Sequence, residues 1–575
     1  MDNSDAQYSN FRDNIPILWV VVLGHFALRR GFDKLFAKMF PTPPQNSSYR
    51  ASHNITRRKI FDVLFAVVFL TCLHSVSILK ILVILAANYL ISFFHPDSVF
   101  NPILTWVFNI GVLFANEYFE GYHFRLILPW LIAGEGAGVG YAMDHLFGGG
   151  LLPRWEISFN ITVLRLISYN MDHYWAARRL PQTNDRMALG RDHGSVQEVR
   201  SHAETDAEQG SSAGGEEGTV HDDDDESFEE QLILEQKKRL LDPANISERD
   251  RIDTPAIMQD YGFLNYLAYV LYSPLYLAGP IITFNDFIHQ VLLPLLCSPP
   301  FFFLCLAASN MLQQRYPLPS TNLSRTIKYA IRLMFSILVM EVVLHFLYVV
   351  AISKTAHTNA SWAGDTPLQL SMIGYFNLHI IWLKLLIPWR FFRLWALLDR
   401  VDPPENMIRC MSNNYSPLAF WRAWHRSFNR WVVRYIYIPV GGANRPVMNM
   451  ALVFTFVALW HDLSFKLLAW GWLVVLFVVP EIIAKNVFQK RLETHPAYRV
   501  FCGIGAVGNV LMMMTANLVG FAIGFDGLRD LFAGVVGSWA GYGFMLIASV
   551  ALFVGVMTMF EVREGEKRKG INLRC

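Results

Sequence analysis

The sequence predicts an all-α polytopic membrane protein with roughly ten to thirteen membrane segments, on three observations. Of 575 residues, 53% are hydrophobic and 14% aromatic, more than a soluble enzyme usually carries. Many separate apolar runs reach the length that crosses a bilayer core. The net charge of +2 conceals an asymmetry, because 181–250 holds 19 of the 47 acidic residues and only 7 of the 49 basic ones. The remainder carries 42 basic against 28 acidic residues, as expected of loops that meet anionic headgroups. Six cysteines without paired spacing indicate neither a disulfide framework nor a metal site.

Residues 1–14 are polar and lack the basic lead of a signal peptide. Ile15–Leu28 has no small-residue cleavage pattern and reads as a retained short span or interfacial helix. Residues 29–60 are basic, with five arginines and three lysines. Phe61–Leu79 and Ile81–Phe94 read as spans, or as a pair broken around Lys80, followed by Pro102–Ala115 and Leu126–Met143. Asn160–Ala176 is a helix with Arg165, Asn170, Asp172 and His173 among apolar residues. Such groups are expensive in lipid, so they should face other helices or a cavity, most simply as a structural polar cluster.

Gln182–Ile252 is rich in Asp, Glu, Ser and Gly, cannot bury a core, and is expected to be a disordered acidic loop. In Tyr261–Thr283, Pro274, Gly279 and Pro280 break a helix, which is tolerated at membrane depth only where protein or a cavity covers the backbone. Val291–Ala308, Ile327–Ile352, Leu370–Trp389, Lys466–Ile483, Phe501–Ile523 and Leu531–Phe560 read as further spans. The tail carries Arg563, Lys567, Arg568, Lys569 and Arg574, which favours a cytoplasmic C-terminus. The chain thus divides into an N-terminal segment (1–60), N-terminal membrane helices (61–180), the acidic loop (181–252), a membrane core (253–560) and a basic tail (561–575).

Phe420–Asp462 carries the most promising chemistry. At about 100° per residue, Trp421, Trp424, Phe428, Trp431, Val432 and Tyr435 share one apolar arc of a single helix. Arg422, Arg426, Arg430 and Arg434 occupy the opposite arc, with His425 and Asn429 on the seam. Such a helix lies along a membrane surface with its cations toward phosphates. His461 stands in the main polar interruption of the apolar region 451–480, beside Trp460 and Asp462. A lone intramembrane histidine is usually a packed, hydrogen-bonded residue, and one on an amphipathic seam can simply snorkel. The interruption and the neighbouring cationic helix raise the case for His461 as a base.

Phe-Trp-Arg-Ala-Trp-His (420–425), Tyr-Ile-Tyr-Ile-Pro-Val-Gly-Gly (435–442) and Leu-Trp-His (459–461) resemble the membrane-bound O-acyltransferase superfamily. Leu164–Ala176, Tyr276–Phe287 and Arg390–Asn406 look like its fungal glycerol-uptake branch, related to Hedgehog acyltransferase. The resemblance covers essentially the whole chain outside the acidic loop and the extreme N-terminus. It implies many helices around a central tunnel, with acyl-CoA entering from the cytosolic side as co-substrate and an acceptor hydroxyl from the other. The family's histidine maps onto His461 and its second active-site position onto His425. His at 425, where Hedgehog acyltransferase typically has Asp, argues against protein N-palmitoylation.

The branch implies transfer of a long acyl chain to the sn-2 hydroxyl of a lyso-glycosylphosphatidylinositol (lyso-GPI) anchor in the endoplasmic reticulum membrane. In this reading His461 takes the acceptor proton, and His425 with Asn429 orients the acyl carbonyl. Trp421, Arg422, Arg430 and Arg434 bind substrate, the arginines through CoA phosphates. No metal or other cofactor and no nucleic-acid partner is expected. The alternatives are a glycerol/proton symporter or related transport protein, and a Hedgehog-acyltransferase-like protein acyltransferase. A symporter would be expected to show paired repeats, and none is visible.

Overall fold

The computed structural model describes residues 1–40, 48–132, 136–145, 150–152, 154–189, 248–292, 323–359, 364–461 and 464–571, and these are organised as helices without strands. The first half contains α1 (Ala6–Met39), α2 (Ser48–His74), α3 (Ile78–Phe93), α4 (Phe100–Tyr118), α5 (Phe124–Leu131), α6 (Gly136–His145) and α7 (Trp155–Leu189). Then come α8 (Glu248–Asp253), α9 (Phe263–Val270), α10 (Phe284–Leu292), α11 (Leu323–Phe346), α12 (Val349–Asn359) and α13 (Pro367–Leu398). The last part holds α14 (Pro417–Ala423), α15 (Arg426–Val432), α16 (Pro446–His461), α17 (Phe465–Ala484), α18 (Tyr498–Asn517), α19 (Gly524–Val536) and α20 (Trp539–Arg568). Six helical stretches among the described residues are long and apolar enough to cross a membrane, and α16 is a shorter apolar helix. Outward apolar rows such as Leu546, Val550 and Val554 on α20, spaced every fourth residue, suit lipid contact.

The core forms around α7, where every residue from Thr162 to Tyr174 is buried. Its polar residues face other helices, as the cost of placing them in lipid requires. Asn88 on α3 donates to Asn170 at 3.0 Å, and Arg434 donates to Asp172 at 3.0 Å. Arg165 solves a specific problem. α9 stops at Val270 and leaves carbonyls without helical partners. The Arg165 guanidinium donates to the carbonyls of Val270 at 2.9 Å and Leu275 at 2.6 Å, so a buried cation caps the broken helix. The chain then passes through a 3-10 turn over Ser273–Leu275 and an irregular stretch to α10, and most of this link is buried.

Several expected elements differ in their breaks. The interruption between α2 and α3 lies at Ser75, which has φ 49°, rather than at Lys80. Lys80 stays helical because its ammonium reaches the Gly121 carbonyl and the Phe124 ring. The run 126–143 folds as α5 and α6 rather than one span, and 531–560 divides between α19 and α20 at Gly537 and Ser538. Ser538 starts α20 by accepting the Gly541 N–H. Val291–Ala308 lies largely outside the described residues, as do most of the acidic loop and Asp462.

Candidate active site

The single amphipathic helix expected over 421–435 is two helices meeting at His425. α14 begins with Ser416 accepting the Ala419 N–H and Pro417 in the first turn. Glu481 of α17 anchors that start by accepting from the Ser416 hydroxyl at 2.6 Å. At His425 the backbone turns left-handed, φ 45° and ψ 52°, which costs a non-glycine residue about 1–2 kcal/mol. α15 starts after this turn, and a π-helical turn over 433–437 follows. Strain of this kind survives only where the surroundings enforce it. It redirects the His425 ring into a slot between Trp389, 4.6 Å away and nearly parallel, and Phe428 at 5.3 Å.

His461 is the last residue of α16. Its Nδ1 lies 2.8 Å from the Val457 carbonyl one turn earlier. A carbonyl only accepts, so Nδ1 carries the proton and Nε2 keeps its lone pair. Rings connect the two histidines, because Phe428 stacks on Trp460 at 4.7 Å and Trp460 meets His461 edge-on at 4.8 Å. Both histidines line one cavity of 1220 Å³. A second cavity of 50 Å³ is also lined by His461, with Glu117 and Asn160 in its wall. Burial, and then the neighbouring His461, push the His425 imidazole down to about 3, so it is neutral at physiological pH.

The large cavity has an apolar wall that includes Leu378, Ile381, Val457 and Val478. Seven lysines and arginines line it against two carboxylates, Asp253 and Asp286. Trp421, Arg422, Asn429, Arg430 and Arg434 all contribute to the lining, so the residues singled out in the sequence come together. Trp421 packs against Phe454 at 5.5 Å and Trp470 at 5.4 Å. Its indole N–H is buried without a partner among the described residues.

The arginines do not share one role. Arg434 pairs with Asp172 at 3.0 Å and Asp253 at 2.9 Å, and lies over the Trp175 ring. Arg430 and Arg426 both meet Glu248 of α8. Arg422 has no carboxylate partner among the described residues. Glu248 escaped notice because it sits at the end of an acidic stretch whose composition looks uniformly solvated.

Residues 149–525 match the membrane-bound O-acyltransferase family. The chain is 41% identical to the membrane-bound O-acyltransferase GUP1 of Candida tropicalis over 100% of its own length and 81% of that protein. It is also 41% identical to GUP1 of Saccharomyces cerevisiae, over 100% of this chain and 84% of that one. A more distant likeness, 28% over 40% of this chain and 41% of the other, is to the mouse protein-cysteine N-palmitoyltransferase HHAT. The helical fold, the matched region and these end-to-end relatives show that the chain belongs to the membrane-bound O-acyltransferase family.

Proposed function

We propose that the protein transfers a long-chain acyl group from acyl-CoA to a lipid hydroxyl, the sn-2 position of a lyso-GPI anchor, in the endoplasmic reticulum membrane. The observation that carries this reading is His461, with its Nε2 lone pair unprotonated, lining two cavities, the larger of which also holds His425. The cationic part of the large cavity suits the CoA phosphates, and its apolar wall suits the acyl chain. The acceptor hydroxyl arrives through the smaller cavity that His461 also lines.

In the reaction Nε2 of His461 takes the hydroxyl proton as the oxygen attacks the thioester carbonyl. Neutral His425, with Asn429, hydrogen-bonds the carbonyl oxygen as it gains negative charge. The C–S bond then breaks, an ester remains, and the proton passes to the CoA thiolate. Trp421 packs beside the acyl chain, and Arg422 and Arg430 take the CoA phosphates. Arg434, anchored on Asp172, holds the shape of the cationic wall. The reaction needs no cofactor beyond acyl-CoA as co-substrate. The basic end of α20 fits a C-terminus on the cytosolic side, where acyl-CoA is found.

Purified protein given labelled long-chain acyl-CoA and lysophosphatidylinositol should form the diacyl lipid and free CoA. Lack of transfer, together with proton-coupled glycerol uptake by proteoliposomes, would replace this reading with a transporter.

A further inference from the structure

His425 sits where α15 should be capped, yet its side chain makes no capping bond. A helix start leaves backbone N–H groups without partners, and Ser, Thr, Asp or Asn at that position normally supplies one. Here the ring is occupied between Trp389 and Phe428 and turned to the cavity. The missing acceptors come from elsewhere in the chain. The Arg426 N–H donates to the backbone carbonyl of Asn406 at 3.1 Å. The Ser427 N–H donates to the Asn406 side-chain oxygen at 3.2 Å. Asn406 is 1% exposed.

The segment bearing Asn406 is itself held firmly. Arg393 donates to the Pro403 carbonyl at 2.8 Å and pairs with Asp402 at 2.7 Å and Glu405 at 3.1 Å. Gln290 of α10 accepts the Asp402 N–H at 2.7 Å. Beyond Asn406, the Ser427 hydroxyl accepts the N–H of Ile281, which lines the cavity. One asparagine therefore ties the 402–406 segment to the left-handed turn and, through Ser427, to the cavity wall.

We propose that Asn406 is the positioning residue of the active site, capping α15 from a separate segment so that position 425 is released from capping and can present an imidazole to the reacting carbonyl. The inference rests on the role given to His425 above. The bond that matters is acceptance by the side-chain oxygen. Asn406→Asp preserves that acceptor at the same size, whereas Asn406→Leu fills the space without it.

The test measures kcat and the KM for acyl-CoA on detergent-purified, monodisperse full-length variants. Asn406→Leu should lower kcat on the order of 10²-fold, the loss that a misplaced catalytic group brings. The KM for acyl-CoA should stay near wild type, because Asn406 is not among the cavity-lining residues. Asn406→Asp should recover most of the rate. In a His425→Ala background Asn406→Leu should cost little more, because its effect runs through that ring. An unchanged kcat in Asn406→Leu, equal losses in Asp and Leu, or full additivity with His425→Ala would each overturn the proposal. Should Asn406→Leu fail to fold, Asn406→Asp against Asn406→Ala makes the same comparison. If the wild type transfers nothing, the functional reading fails and this inference with it; if it transfers and Asn406→Leu equals it, this inference alone fails.

Discussion

At the scale of single residues, the two histidines are placed for unequal duties. His461 owns a lone pair fixed in direction by the bond from its Nδ1 to Val457. His425 is neutral and wedged between rings, suited to donating a hydrogen bond rather than accepting a proton. His425→Ala should therefore lower transfer by about 10²-fold, the usual loss of one oxyanion-type donor, and His425→Asn should retain part of the rate. Combining it with His461→Ala should add almost nothing to the loss from His461→Ala alone, because groups acting on one transition state fail as a unit. Independent, additive losses in kcat would separate the histidines mechanistically. Stability carries a second signature. Folding holds His425 neutral, its value lowered from 6.5 to about 3, while the unfolded chain binds a proton below about 6.5. The site therefore leaves stability intact above about 6.5 and removes it progressively as pH falls toward about 3. Thermal unfolding in detergent should weaken between pH 7 and 5, and His425→Gln should flatten that slope; parallel profiles would show that the ring is not held neutral.

At the scale of elements, α8 lies across the cationic part of the cavity. Glu248 meets Arg426 and Arg430, and Asp253 meets Arg434. A CoA phosphate arriving there must exchange with these carboxylates. Glu248→Gln should lower the KM for acyl-CoA by about threefold, the factor that ~0.7 kcal/mol makes for a partly exposed pair, and added salt should shrink the difference. A raised KM would mean that Glu248 holds the arginines in place instead of competing with phosphate. The acidic stretch preceding α8 has a different expectation. Its composition cannot bury a core, so deleting 195–235 should leave most of the transfer activity. Loss of activity from a folded, monodisperse deletion protein would contradict this.

Across the whole molecule, what could be read from sequence was what lipid and apolar burial dictate. A backbone at membrane depth must satisfy its own hydrogen bonds, so long apolar runs specify helices: α17 and α18 appear close to where they were expected, whereas α1 runs well past both ends of the expected 15–28 element and α13 continues nine residues beyond Trp389. His461 was visible as a polar break in an apolar run. The break at His425 was hidden, because its aromatic and basic arcs fit one helix equally well, and the capping Asn406 lies far upstream. Ser75 was likewise overlooked in favour of Lys80, whose long stem lets its charge leave the helix without breaking it. Arg165 was recognised as a buried polar residue, but the carbonyls it caps belong to a helix more than a hundred positions away. Non-local partners of this kind leave no periodic trace.

The central claim is that His461 is the base of an acyl transfer, and one comparison tests it most directly. Purified wild type and His461→Ala are given saturating labelled acyl-CoA and lysophosphatidylinositol, and the initial rate of diacyl-lipid formation is measured on equal amounts of folded protein. The account predicts that His461→Ala still binds acyl-CoA but transfers about 10²–10⁴-fold more slowly, the contribution of a positioned general base. Transfer by His461→Ala at a rate near that of the wild type would contradict it.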